Sequence, residues 1–216
     1  MYPPFIAPTI TSHQWAPAEF NSHGVRTSEL MLHPLLQPDT HNALGDDSHA
    51  IVDLLDPTFW PGRTTGPRLE RTELSAIATY PPITTMHITN DHVPTWPIVL
   101  ESSASVTDGG QRRPNNTVKV GDVLLAIHTG LQERITQNDW DLLTPKQQHR
   151  VARCYLRRCA YLGRKGASEE DNRTDGVKRI DYFGNNVRFE GLSDVEWMPG
   201  GGAVLAKMKL GLDGDG

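Results

Sequence analysis

The clearest alternation of apolar and polar positions lies in residues 83–89, ITTMHIT. Ile83, Thr85, His87 and Thr89 alternate with Thr84, Met86 and Ile88, and this period of two with β-branched residues predicts a strand. The turn-forming residues 90–95 follow, and then WPIVLES at residues 96–102 predicts a second strand with Pro97 at its start or on an edge. The two segments together predict an antiparallel pair.

A helical period replaces this alternation from Asp122 to Gln132. Its apolar residues recur on one face at about 100° per residue, and Asp122 is predicted to cap the helix. The residues on that face are Val123, Leu124, Ile127 and Leu131. This face is therefore expected to pack on the core.

Two further helical segments follow in the sequence. Thr136 with Asp139 predicts a short helical turn. Thr144, followed by Pro145 at the first helical position and Gln147 at the third, predicts the start of a longer helix. That helix is expected to end near Leu162, with Gly163 at its C-terminus.

The C-terminal part alternates again. The segments 177–183 and 187–191 flank Gly-Asn-Asn and predict a β-hairpin, and residues 203–210 predict a last strand after three glycines. The predicted fold class is α+β, with a mainly antiparallel sheet and two principal helices packed on one face. Its strands are expected near residues 51–55, 84–89, 96–101, 177–183, 187–190 and 203–210.

Composition sets the expected domain organisation. Hydrophobic residues make up 37% of the 216 residues, while 16 prolines and 19 glycines are many for a chain packed from end to end. We predict a poorly ordered N-terminal arm at residues 1–30, a single domain at residues 31–198 and a glycine-rich tail at residues 199–216. The formal net charge of −5 argues against attraction of the whole protein to nucleic acid or to an anionic membrane.

The cysteines and the apolar runs indicate an intracellular, cytoplasmic location, and a nuclear one stays open. Cys154 and Cys159 are five positions apart in one helical segment, so their thiols point in different directions and do not favour a disulfide. No basic segment precedes the proline-broken N-terminal apolar run, so no signal peptide is predicted. No apolar run approaches the roughly 18–20 residues that span a bilayer, so no membrane partner is expected.

The strongest physical signal is a basic stripe on the longer helix. At about 100° per residue, five cationic side chains return to one edge of the helix, while Val151, Tyr155 and Leu162 lie opposite. The residues of this stripe are Lys146, Arg150, Arg153, Arg157 and Arg164. They form either a surface for phosphates, RNA or an acidic protein, or a solvated face paired with acidic loops.

No sequence motif indicates a catalytic residue, a resident metal or a cofactor. His87, Asp91 and His92 flank one strand end, but a metal site needs three or four converging ligands. Neither cysteine lies in a recognisable Cys/His motif, no nucleophile elbow is present, and the three-glycine run lacks the lysine of a phosphate loop. Whether the chain is an enzyme is left uncertain, with a non-enzymatic role favoured.

Several segments of the chain resemble a family of unknown function that is abundant in basidiomycete fungi. The resemblance rests on HPLL, on the run VGDVLLAI…ITQNDW and on RIDYFGNNVRFEGL, and it covers roughly residues 31–198. It implies a fungal, intracellular protein with one domain. The family has no established activity, so no functional residue follows from the resemblance.

The favoured hypothesis is a non-enzymatic interaction module whose basic helical edge contacts an acidic protein partner. Binding of nucleic acid or phosphate by the same helix is one alternative, and a small metal-dependent hydrolase that uses His87, Asp91 and His92 is another. Neither the partner nor the oligomeric state follows from the sequence.

Overall fold

A computed structural model describes residues 30–38, 50–63, 67–93, 95–102, 117–166, 168 and 174–212. Residues 1–29 of the predicted arm and residues 213–216 of the predicted tail lie outside these ranges. The described part combines helices with strands in mostly antiparallel sheets, which confirms the predicted α+β class.

The helices and strands of the described residues have the following bounds. The α-helices are α1 (Arg71–Leu74), α2 (Val120–Gln132), α3 (Gln137–Asp141) and α4 (Pro145–Arg164). The strands are β1 (Met31–Leu32), β2 (Ala50–Ile51), β3 (Gly62–Arg63), β4 (Thr79–Tyr80), β5 (Thr85–Thr89), β6 (Ile98–Glu101), β7 (Asn186–Trp197) and β8 (Ala203–Leu212). Two 3-10 helices are added to these, the first at Pro34–Leu36 and the second at Arg179–Phe183.

The main sheet has four strands in the order β6-β5-β8-β7. Its central pair, β5 and β8, is parallel, whereas β6 and β7 flank this pair in antiparallel fashion. Met86 and Ile88 of β5 are buried on the same face as Val204 and Ala206 of β8, as strand alternation requires. The sheet thus extends past residue 198, because the predicted last strand is β8 at its centre.

Helix α2 covers this buried face from the side of β6. The four apolar residues predicted to face the core are all buried, which confirms the predicted face. A Cβ at Gly130 would lie 3.0 Å from Cγ1 of Ile98, so the small residue lets the helix approach β6 closely. The predicted cap was wrong, because the helix begins at Val120 and Asp122 instead accepts the Lys119 N–H from the third position, at 3.1 Å.

The predicted hairpin of residues 177–191 was wrong in its first strand. Residues Arg179–Phe183 form the second 3-10 helix, and β7 pairs with β8 instead. The Asp181 carboxylate accepts the Lys178 N–H at 2.8 Å, which closes a helical turn, and the Arg158 side chain from α4 holds the same carboxylate. Ile180, Asp181 and Phe183 are all buried, so the buried positions do not follow the period of two that a strand would require.

The predicted strand at residues 51–55 is shorter than expected. Only Ala50–Ile51 form β2, after which single backbone hydrogen bonds join Leu54 to Val187 and Phe189 to Val52, at 2.9 and 3.1 Å. Asp53 accepts the Leu55 N–H through its own side chain at 2.9 Å, so the chain turns away there.

Helix α4 ends one residue beyond the predicted glycine, at Arg164. It is capped as predicted, since Thr144 and Gln147 exchange side-chain to backbone hydrogen bonds and Pro145 is the first helical residue. Among the described residues, no helix is both long and apolar enough to cross a bilayer.

Replacing Gly163 by alanine should raise the free energy of unfolding by about 0.5–1 kcal/mol, because glycine is a poor helix former. A Cβ at this position would meet no atom within 4 Å. Urea unfolding followed by tryptophan fluorescence measures the change. Gly166→Ala is the control: its φ of +90° disfavours a side chain, so this variant should lose stability. A loss of stability in both variants would contradict the expectation.

Candidate functional site

The basic stripe predicted on α4 is largely exposed in the structure. Lys146, Arg150, Arg153 and Arg164 are exposed and Arg157 is half-buried. Within the described ranges, none of the five side chains forms an ion pair with a carboxylate. The positive charges of the stripe are therefore not neutralised by acidic side chains of the described residues.

Three of the five stripe residues lie together in one groove. The basic groove, as we name it, runs between the outer edge of α4 and the turn that follows the second 3-10 helix. It has a volume of about 500 Å³ and is lined by Arg150, Arg153, Cys154, Arg157, Phe183, Gly184 and Asn185. Lys146 and Arg164 belong to the same helix edge but do not line this groove.

Arg157 fixes the two walls of the basic groove to each other. Its guanidinium donates hydrogen bonds to the Oδ1 atom of Asn185 and to the carbonyl oxygen of Gly184. These contacts use the Arg157 side chain to hold the turn, whereas no hydrogen bond or ion pair among the described residues engages the Arg150 or Arg153 side chain. Of the three arginines that line the basic groove, Arg150 and Arg153 are thus the ones whose guanidiniums are open to a ligand.

A buried ion pair behind the groove explains why the turn lies against α4. Arg158 donates from Nε and Nη2 to the two carboxylate oxygens of Asp181, at 3.0 and 2.9 Å, and both side chains are only 1% exposed. Arg158 also donates to the Gly176 carbonyl oxygen at 2.8 Å. The prediction missed this pair, although Arg158 lies seven residues after Val151 and four before Leu162, on the buried helix face.

A second, mainly apolar hollow adjoins the basic groove. The apolar hollow, of about 240 Å³, is lined chiefly by His92, Val93, Trp96, Leu142, Leu143, Val151 and Tyr182, with Asp139, Gln147, Thr95 and Arg150 as its polar members. Arg150 lines both cavities. The rings of His92 and Phe183, one from each cavity, have centroids 6.5 Å apart. The two cavities are therefore neighbours along α4.

Asp139 is the acidic residue of the apolar hollow. Hydrogen bonds from the side chain and backbone of Thr136, and one from the Trp96 indole N–H at 3.3 Å, lower the pKa of its carboxyl group. The group is thus a carboxylate at neutral pH. Because Arg150 also lines the apolar hollow, the hollow has one charge of each sign, whereas the lining of the basic groove has three arginines and no carboxylate.

Cys154 is the groove residue with nucleophilic chemistry. Burial raises the pKa of its thiol, although the nearby guanidiniums of Arg157, Arg150 and Arg153 oppose the rise. A raised pKa keeps the group as a thiol at neutral pH, which is unfavourable for covalent catalysis. Its described environment therefore gives Cys154 no activation as a nucleophile.

Two of the three residues considered for a metal site make other side-chain contacts. Asp91 forms an ion pair with Lys207 at 3.3 Å, and His92 packs edge-on against Phe183. His87 lies on β5, in register with Val99 of β6 and Leu205 of β8. Over the ranges that the structure describes, no group of three or more His, Cys, Asp or Glu side chains could hold a metal ion.

Comparison with known proteins identifies a protein family. The model of a protein family described as a family of unknown function, DUF6699, matches residues 50–201. No curated protein matches the chain, and no solved structure matches it. The matched range contains α4, the second 3-10 helix and the residues that line both cavities, and it ends just before β8.

Proposed function

We propose that this chain, which belongs to the DUF6699 family of unknown function, is a non-enzymatic interaction module that binds an acidic segment of a partner protein in the basic groove. The observation that carries the proposal is the pair Arg150 and Arg153. Both are exposed, both line one groove, and neither has a carboxylate partner within the described residues.

Electrostatics explain why such a groove favours an anion. Arg150, Arg153 and Arg157 place three permanent positive charges around one cavity, and like charges at close range repel each other. A carboxylate between Arg150 and Arg153 would relieve this repulsion and accept charge-assisted hydrogen bonds. The protein as a whole is acidic, so the attraction is local and favours a partner that presents its acidic residues in one place.

Binding of nucleic acid or phosphate by the same arginines is the alternative, since guanidinium groups also pair well with phosphates. The net charge of −5 weakens long-range attraction to a polyanion. The groove also offers a single aromatic ring, Phe183, whereas proteins that bind single strands use several stacking rings. These observations favour the protein partner. No observation on the described residues favours the metal-dependent hydrolase, so it is not proposed.

An intracellular, cytoplasmic setting and a basidiomycete origin are part of this proposal. Cys154 and Cys159 form no disulfide within the described residues, which suits a reducing compartment. The origin rests on the sequence resemblance alone.

Charge reversal at Arg150 and Arg153 tests the proposal. The double variant Arg150→Glu/Arg153→Glu should bind a short fluorescein-labelled polyglutamate peptide about tenfold or more weakly than the wild type. The reason is that one unit charge about 4 Å from another is worth about 1 kcal/mol in water. Fluorescence anisotropy at low and high salt measures the binding, which should weaken with salt.

Arg164→Glu is the matched control, because it reverses a charge on the same helix edge outside the groove. It should bind almost as well as the wild type. Equal affinity of the wild type and the double variant, or no binding of the peptide, would refute the proposal. Tighter binding of a single-stranded RNA oligonucleotide than of the peptide, lost in the double variant, would establish the alternative instead.

A further inference from the structure

We infer that the acidic segment carries one large apolar side chain beside its carboxylates, and that this side chain enters the apolar hollow while the carboxylates reach Arg150 and Arg153. The inference rests on the proposed function. It names the class of ligand: a short, extended peptide in which an aromatic or large aliphatic residue adjoins consecutive Asp or Glu residues.

The apolar hollow has the size and lining for such a side chain. Its volume is about 240 Å³, and a cavity of about 150 Å³ already binds benzene. Trp96 and Tyr182 form one wall, with ring centroids 4.7 Å apart in an edge-on arrangement. Val151 is fully buried beneath, whereas Leu142 keeps 77% of its surface exposed. An apolar side chain in this hollow would remove both ring and Leu142 surface from water.

The exposed surface of Leu142 is the second sign of a ligand. Leu142 has the highest exposed fraction among the large hydrophobic residues of the described part, and it stands beside an apolar cavity. Isolated exposed leucines are common and need no explanation, but an exposed leucine that adjoins two partly buried aromatic rings makes a continuous apolar surface. Such a surface next to a basic groove fits a ligand that has an apolar side chain beside acidic groups.

The two cavities are close enough for one short segment. They share Arg150, and Arg153 lies three residues further along α4, about 4.5 Å along the axis. Neighbouring residues of an extended chain are about 3.3 Å apart along the chain. A side chain in the apolar hollow thus brings the carboxylates of the next few residues to Arg150 and then to Arg153.

Asp139 sets the orientation of the segment. Its carboxylate offsets the charge of Arg150 in the apolar hollow and would repel a carboxylate or a phosphate of the ligand there, whereas no carboxylate lines the basic groove. The charged part of the ligand is therefore directed to the basic groove and the uncharged side chain to the hollow. A nucleic acid, which carries a phosphate at every residue, fits this distribution of charge less well than a peptide does.

Three labelled peptides test the inference on the full chain. The first carries phenylalanine followed by glutamates, the second carries alanine in place of the phenylalanine, and the third carries glutamines in place of the glutamates. The first should bind about tenfold more tightly than the second, because a phenyl group leaves water on binding. The third should lose most of its affinity at physiological salt.

Substitution of Leu142 locates the apolar side chain. In Leu142→Asp the ratio of affinities for the phenylalanine and alanine peptides should fall towards one. The added negative charge weakens the binding of both peptides, so its effect cancels in the ratio. Leu156→Asp is the matched control, since Leu156 is also exposed but lines neither cavity, and it should keep the wild-type ratio. Protection of Cys154 from alkylation by the bound peptide gives an independent readout, with buried Cys159 as the internal reference.

The outcomes separate the inference from the proposed function. Equal affinity for the phenylalanine and alanine peptides, both sensitive to Arg150→Glu/Arg153→Glu, overturns the inference and leaves the proposed function standing. Unchanged alkylation of Cys154 in the bound state places the peptide elsewhere and also overturns the inference. Failure of every acidic peptide to bind overturns both, and preferred binding of an RNA oligonucleotide overturns both in favour of a nucleic-acid ligand.

Discussion

Replacing Arg158 by methionine should lower the free energy of unfolding by about 3–5 kcal/mol, the range found when one partner of a buried ion pair is removed. Methionine fills much of the volume but leaves the Asp181 carboxylate buried without its cation. The loss should be close to the upper end, because the same guanidinium also satisfies the Gly176 carbonyl oxygen. Urea unfolding, followed by tryptophan fluorescence, measures it.

Two further variants identify the cause of this loss. Arg153→Met removes an exposed arginine from the same helix and should change stability by no more than about 0.5 kcal/mol. The double variant Arg158→Met/Asp181→Asn removes both charges, while the asparagine oxygen still accepts the Lys178 N–H. It should lose less than the sum of the two single variants. A single-variant loss below about 1 kcal/mol, as for an exposed pair, would show that the pair is not buried in solution.

The helices of this protein could be predicted because their signals are local. Thr136 with Asp139 and Thr144 with Gln147 form the capping boxes that the sequence indicates, with both hydrogen bonds of each box present. Strand β5 could be predicted equally well, since one of its faces is buried and the other is not. In each case a few neighbouring residues determine the structure.

For the segment 177–183, the local sequence pattern predicted the wrong structure. Its letters alternate as a strand would, yet Asp181 is held by Arg158 from a helix more than twenty residues earlier in the chain. That long-range ion pair, together with the Lys178 N–H, stabilises a 3-10 turn over an extended strand. Tertiary contacts decide such segments, because the intrinsic preference for a strand is weak and depends on context.

The candidate site was predicted in part for the same reason. The helical period correctly grouped Arg150, Arg153 and Arg157 on one edge, and the structure places them around one groove. The opposite wall, Phe183–Asn185, comes from a distant turn that no period in α4 can indicate. Lys146 and Arg164 share the edge but lie where that turn does not reach, so the sequence could not separate them from the other three.

Replacing Gly191 by alanine should lower the free energy of unfolding by about 3 kcal/mol or more. Gly191 lies at a bulge of β7 with φ at +126°, a conformation that costs other residues about 1–3 kcal/mol. A Cβ there would also lie 2.5 Å from the Pro38 nitrogen and 2.7 Å from the Gln37 carbonyl carbon. These are backbone atoms that cannot rotate away, so overpacking adds about 1–3 kcal/mol.

Gly200→Ala separates the two contributions to this loss. Gly200 also has a positive φ, +97°, but a Cβ there would meet no atom within 4 Å, so only the conformational cost of about 1–2 kcal/mol is expected. The excess loss in Gly191→Ala then measures how firmly the first 3-10 helix, with Leu35 and Leu36 buried, is held against β7. Equal losses in the two variants would mean that the Gln37–Pro38 backbone moves aside at little cost. The close approach of these two segments would then contribute nothing to the requirement for glycine.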